Sequence, residues 1–122
     1  MLVDRYGNSF LKVEPNTEVK TGITRDGKPV YYMLLERSNI TMQNGSSYTH
    51  NIQNVDEIFD YNAGWRRNDT KECYKFMYLD NNQKALYVSF TRKNFTFVGA
   101  SAWNARPEIT FFAHLLYTKT TD

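Results

Sequence analysis

At 122 residues the chain has room for one hydrophobic core and not two, since a domain of this size buries roughly two thirds of the surface its unfolded form exposes. Fifteen Lys and Arg against thirteen Asp and Glu leave a net charge of +2, too weak a field to draw the chain to nucleic acid or to an acidic membrane surface. A single cysteine, Cys73, excludes an internal disulfide and, by itself, a zinc site, while nine Tyr and eight Phe in an aromatic share of 16% favour pleated surfaces over helices.

Residues 1–17 hold no clean apolar period. Leu2, Val3, Tyr6, Phe10, Leu11 and Val13 are interrupted by Gly7 and Pro15, the pattern of an arm that docks on a larger body or of an irregular lead-in packed on its own domain. Charges at Asp4 and Arg5 and the lack of an apolar h-region give no signal peptide. The longest apolar run, residues 30–35, is far short of a membrane span. The expectation is a soluble protein made in a reducing cytoplasm.

A β-sandwich body is expected over residues 18–122. A short strand over 18–22 leads into Arg25-Asp26-Gly27-Lys28-Pro29, a turn in which Gly27 supplies a positive φ and Pro29 opens the next strand, 30–36. Strands over 38–43 and 48–52 flank Asn44-Gly45, the preferred pair for a tight hairpin. Residues 54–61 set Val55, Glu57, Phe59 and Tyr61 on one face and Asp56, Ile58 and Asp60 on the other, which suits a strand; a short helix over 55–59 is the competing reading. The polar, aperiodic stretch 62–72, NAGWRRNDTKE, is expected to be a functional loop.

Strands over 74–79 and 85–92 flank a hairpin loop at 80–84. A strand over 95–99 follows, and then a second loop, 100–107, carrying Trp103 and Arg106. In the closing stretch, 108–122, Ile109, Phe111, Ala113, Leu115 and Tyr117 alternate with Thr110, Phe112, His114, Leu116 and Thr118. The first set is wholly apolar and belongs to a core; the second is half apolar and needs a second sheet or a neighbouring subunit over it. About eight short strands with regular turn signals make an all-β fold, a single-domain antiparallel β-sandwich.

Few side chains assemble into recognisable chemistry. Asp56, Glu57 and Asp60 are the densest carboxylate cluster, but glycoside hydrolysis needs a pair held at a set separation, and such clusters are usually solvated. His50 and His114 lack HxH or HExxH spacing; no metal or cofactor is expected, and His114 reads as a structural or interface histidine. Cys73 has no histidine to pair with and reads as a small strand residue. Gly45, Gly64 and Gly99 are isolated, so no phosphate-cradling loop is present. Aromatic residues such as Tyr74, Phe76, Tyr87, Phe95 and Phe97, interleaved with Lys75, Arg92 and Lys93, suit a stacking platform for single strands, yet alternating aromatics in a small β domain are more often its core. Trp65 with Arg66 and Arg67, and Trp103 with Arg106, are the candidate ligand-binding groups, because Trp and Arg on loops dominate binding hot spots. The competing reading folds both tryptophans back over the ends of the sandwich.

Thr21-Gly22 followed by Asp26-Gly27-Lys28-Pro29-Val30-Tyr31, the segment His50-Asn51-Ile52-Gln53-Asn54-Val55-Asp56-Glu57-Ile58, and the ending Leu116-Tyr117-Thr118-Lys119-Thr120-Thr121-Asp122 share an order and spacing. Together they resemble the small C-terminal β domain of phage tail-fibre, baseplate-appendage and other virion-fibre proteins, with its T-G, D-G-K-P-I-Y, H-G-I-x-N-I-D-x-I and L-x-Y-T-K-T-T-D segments. The resemblance spans residues 21–122. Ile23 and Thr24 stand where that family often carries a tryptophan, and Asn51 stands in place of a glycine.

The resemblance implies a non-enzymatic phage virion protein, made in the host cytoplasm, with no cofactor and no catalytic residue to carry over. Its partners would be itself, as a homotrimer, and other phage structural proteins reached through residues 1–17. Two functions fit. One is an exposed fibre or appendage domain recognising a bacterial surface glycan through Trp65, Arg66, Arg67, Trp103 and Arg106. The other is a structural capsid or tail decoration or adaptor without a ligand of its own. A trimer would bury the face of Phe112, His114 and Leu116, or that of Leu86, Val88 and Phe90 on a neighbouring strand, and would hide sheet edges.

Overall fold

The computed structural model describes residues 14–76, 78–79, 85–99 and 108–121. Among them the strand segments, in chain order, are β1 (Val19–Arg25), β2 (Lys28–Ser38), β3 (Ser47–Thr49), β4 (Val55–Arg67), β5 (Cys73–Lys75), β6 (Tyr78–Leu79), β7 (Ala85–Phe90), β8 (Asn94–Gly99) and β9 (Ile109–Lys119). They form two antiparallel sheets, ordered β1-β2-β9-β4-β5 and β3-β8-β7-β6. The all-β sandwich expected from the alternation is the fold observed, and no helix forms over 55–59.

β9 is the centre of the larger sheet because it offers the purest apolar face. Register places Leu35 and Ala63 on either side of Ala113, Met33 beside Leu115, Trp65 beside Phe111, and Tyr31 beside Tyr117. All of these are buried. From the smaller sheet, Leu86, Val88, Phe95 and Phe97 close the core. Phe95 stacks on Phe111 with ring centroids 5.1 Å apart and 12° between planes, and Phe97 meets the same ring edge-on at 5.2 Å. Fully burying one such ring contributes roughly 1.5–3 kcal/mol, so this aromatic cluster is a main element holding one sheet to the other.

The Asp26-Gly27 turn forms as expected, with both residues at positive φ (52° and 80°) and Arg25 paired with Lys28. This is the two-residue hairpin whose twist matches the strands it joins. The hairpin expected at Asn44-Gly45 does not form between neighbouring strands. Asn39 turns the chain out of β2 with φ of 60°, Met42 drops into the core, and β3 pairs with β8 instead. A turn does occur there, closed by Ser46 N–H donating to Gln43 O at 3.0 Å; it redirects the chain between sheets. The stretch 74–79, expected as one strand, likewise divides into β5 and β6 in different sheets.

The loop expected over 62–72 is mostly strand. β4 continues through Arg67, and a turn at 68–70 leads back to β5. Two bulges, between Val55 and Glu57 and between Ile58 and Asp60, also break the simple alternation expected earlier in β4. Ile58 pairs with Tyr117 on the core side, whereas Asp60 pairs with Leu116 on the outer side, because one inserted residue moves every later side chain of the strand to the other face.

The described part of the lead-in packs on its own domain. Asn16 N–H donates to Leu34 O at 2.7 Å, and its Oδ1 accepts from Glu36 N and Arg37 Nη1, both at 3.0 Å. Glu18 then accepts the Tyr117 hydroxyl at 2.6 Å and pairs with Lys119 at 2.8 Å, tying the entry of the sandwich to the end of its central strand. Residues 1–13 lie outside the described residues.

Candidate functional site

The outer face of the larger sheet carries an apolar stripe over its central strands. Tyr32 and Leu34 of β2 lie beside Leu116 and His114 of β9, and Glu36 lies beside Phe112. Tyr32, Leu34, Phe112 and Leu116 are half-buried and His114 is exposed. Among the described residues the smaller sheet packs on the opposite side of β9, so of the two expected covers for Phe112, His114 and Leu116, a second sheet or a neighbouring subunit, the smaller sheet is not the one.

Phe112 owes its partial burial to a neighbour that sequence periodicity does not reveal. It pairs with Gly64 of β4, whose missing side chain lets the Phe112 ring lie over the strand. His114 meets the Phe112 ring edge-on at 6.1 Å and stacks on Tyr32 at 5.9 Å. Its Nδ1 is 2.6 Å from the Tyr32 hydroxyl, so the two polar atoms on the stripe satisfy each other. Desolvation on this face raises the Tyr32 pKa above the ordinary phenol value. Leu86 and Val88, the other candidate interface, are monomer core, with Phe90 packed against it. Moreover β7 lies in the opposite sheet from β9.

The candidate ligand-binding set is dispersed. Trp65 is 2% exposed and stacks on Tyr74 at 4.3 Å; its position opposite Phe111 points it into the core, which corrects its placement on an exposed loop. Arg66 faces outward and pairs with Glu36 at 3.6 Å. Arg67 pairs with Asp69 at 3.0 Å, and that hydrogen bond lowers the carboxyl pKa of Asp69 and raises that of the guanidinium. Trp103 and Arg106 lie outside the described residues.

Two of the three carboxylates of β4, Asp56 and Glu57, are held in ion pairs. Asp56 Oδ2 accepts from Lys28 Nζ at 2.8 Å, and Arg92 Nε donates to the Asp56 carbonyl at 2.7 Å. The Lys28 hydrogen bond holds the Asp56 carboxyl below its ordinary pKa. Glu57 pairs with Arg25 at 3.2 Å, and that guanidinium lies 4.3 Å from the Phe59 ring centroid. Both carboxylates are engaged at the hairpin end of the sheet. Among the described residues no three His, Cys, Asp or Glu side chains stand together to hold a metal ion.

His50 is a structural fastener, and its partners are not those of His114. It is buried; Ile52 N–H donates to its Nδ1 at 3.1 Å, and its Nε2 is 3.0 Å from Thr91 O. Nδ1 must therefore be the bare nitrogen and Nε2–H the donor. Its own N–H donates to Lys93 O at 3.1 Å, and Arg37 Nη2 reaches its carbonyl at 3.4 Å. Burial holds the His50 pKa below its ordinary value. The His-x-Ile segment thus pins the corner before β4 to the turn between β7 and β8.

Comparison with known proteins leaves this geometry as the basis for a functional reading: no family model, no curated protein and no solved structure matches the chain.

Proposed function

We propose that the chain is a non-enzymatic structural module of a phage virion, an exposed fibre or appendage domain that works by association. The observation that carries this reading is the stripe of Tyr32, Leu34, Phe112 and Leu116 on the outer face of the larger sheet. A sheet face turned to water is normally polar, and an apolar one marks a contact surface. A closed homotrimer covering the stripe would bury it without leaving it available for open-ended aggregation. The resemblance to phage virion-fibre domains supplies the setting, and its segments fall on framework positions here: the Asp26-Gly27 hairpin, the His50 corner and the central strand β9.

At an exposed position on a particle, such a module also meets the host surface, and recognition of a bacterial surface glycan is the second half of the proposal. Burial of Trp65 removes one residue of the loop-based ligand set. Quantitative proteomics and immunogold labelling of purified particles test the virion assignment. The expected result is the chain on intact particles at a copy number divisible by three. Recovery only from the soluble fraction of infected cells refutes it.

A further inference from the structure

Residues 1–13 carry the apolar side chains Leu2, Val3, Tyr6, Phe10, Leu11 and Val13 beside the charges of Asp4, Arg5 and Lys12. A segment of this length is too short to enclose a core of its own, so its apolar surface stays wet unless it lies on another. The chain enters the described structure next to the apolar stripe. Asn16 N–H donates to Leu34 O and its Oδ1 accepts from Glu36 N–H, which fixes the entry against the edge of β2 at the two positions where the stripe meets its charged margin. Pro15 and Asn16 form a turn, with Asn16 at a φ of 61°, so the chain changes direction at that edge. On the other face of β2, Met33 and Leu35 are closed in by the smaller sheet. The outer face is therefore the apolar surface that stands beside the entry.

We propose that residues 1–13 fold back over their own chain and cover Tyr32, Leu34, Phe112 and Leu116. Two magnitudes favour this occupant. At about 3.3 Å per residue, the stretch from Asn16 back to Phe10 reaches up to about 20 Å from the sheet edge, whereas the two strand spacings from β2 across β9 to β4 take about 10 Å. A segment tethered beside its site also meets that site at a millimolar effective concentration, about a thousandfold above a second copy present at micromolar concentration. Charge agrees as well: Glu36, Asp60 and Arg66 border the stripe, and the segment brings both signs to meet them. The inference rests on the association reading for the use of this face, and adds what holds it in the lone chain. Neighbouring copies then form a closed trimer only by displacing residues 1–13, so the stripe is screened until assembly.

The test uses the full chain with a nitroxide on Asn8→Cys in a Cys73→Ser background, which leaves one cysteine to label. In 15N-labelled protein below the concentration of half-association, the label should broaden the amides of residues 32–36 and 112–116 and spare those of β7 in the opposite sheet. Phe10→Ser combined with Leu11→Ser should abolish that broadening with an otherwise unchanged spectrum. Sedimentation equilibrium should then show the double variant reaching half-association at a concentration at least tenfold lower than the parent, because a face covered nine tenths of the time leaves a competent fraction of about one tenth. The inference is overturned if the stripe amides are not broadened, if the broadening survives the double variant, or if the midpoint stays put or rises. It is also overturned if broadening arises only when 15N chains without the nitroxide are mixed with nitroxide-bearing chains, since the segment then lies on a second copy. A trimer whose stripe the segment never approaches sinks this inference and leaves the assembly reading intact; a chain that is monomeric with and without the double substitution, yet holds the segment on its stripe, sinks the assembly reading instead.

Discussion

Replacing Gly64 by alanine is a sharp test of how the larger sheet is built. The residue lies on β4 between Phe112 of β9 and Lys75 of β5. A Cβ at this position would collide with the Tyr74 carbonyl oxygen, and would come within 3.0 Å of Phe112 Cζ and 3.2 Å of Lys75 Cα. Phe112 can swing its ring outward, but the carbonyl is backbone and yields only if β5 moves away from β4. Overpacking of this kind costs about 1–3 kcal/mol, offset by the about 0.4–1 kcal/mol that alanine gains by restricting the unfolded chain. The net expectation is a loss of about 1–2 kcal/mol, or a fall in Tm of about 4–8 °C for a domain of this size. Urea unfolding and calorimetry read the loss. Hydrogen exchange localises it, because the Phe76 amide that bonds Ala63 O at 3.1 Å should lose protection first. Adding Phe112→Ala should recover less than half of the stability, since the Tyr74 carbonyl remains in place. A Gly64→Ala protein within about 0.5 kcal/mol of the parent, the range of an ordinary surface change, would refute the close β4–β5 approach.

Three further outcomes rest on buried groups. Burial lowers the folded-state pKa of His50, so the unfolded chain takes up the proton first; stability from this residue is complete above about pH 6.5 and falls as pH drops below it towards the folded value, by at most about 1.4 kcal/mol per unit. Urea midpoints between pH 7.5 and 5 should show that decline, and His50→Gln should flatten it; an unchanged slope in the variant would remove His50 as the cause. With Trp103→Phe, Trp65 is the remaining tryptophan of the two and should emit in the blue and resist acrylamide, while Trp65→Ala should cost about 3–5 kcal/mol; red-shifted, freely quenched emission would contradict its core position. Tyr117→Phe deletes the hydroxyl that donates to Glu18 at 2.6 Å and should cost about 1.5 kcal/mol, measured by urea unfolding, with no change expected only if the residue 14–18 entry does not dock on β9.

Legibility in the sequence depended on how locally each feature is determined. The core face of β9 was readable because five apolar residues alternate without interruption, and the Asp26-Gly27 turn because both residues tolerate positive φ. β4 is not legible where its bulges occur, since an inserted residue puts Ile58 and Asp60, which simple alternation places on one face, on opposite faces. Beyond them Ala63 and Trp65 keep a period of two, but the polar residues around them disguised it as a loop. Asn44-Gly45 marked a turn correctly and its partners incorrectly, because turn chemistry does not specify which strands it joins.

The surfaces were less accessible than the core for the same reason. Phe112 stood out as an apolar residue on a wet face, but its neighbour Gly64 lies 48 positions away and is identified only by pairing. Residues 47–49, 87–89 and 94–98 likewise become one surface only when β3, β8 and β7 are in register. Short motifs capture neither arrangement. Conversely, the tryptophan and arginines adjacent in sequence at 65–67 are divided between the core and two separate ion pairs.

The association reading is tested most directly by light scattering coupled to size exclusion at micromolar concentration, on the parent chain and on Leu116→Glu. The expected result is a particle of three chains for the parent and a folded monomer for the variant, because the new charge falls on the outer stripe beside Tyr32 and away from the core. A parent protein that is monomeric under those conditions, or a trimer indifferent to Leu116→Glu, would contradict it.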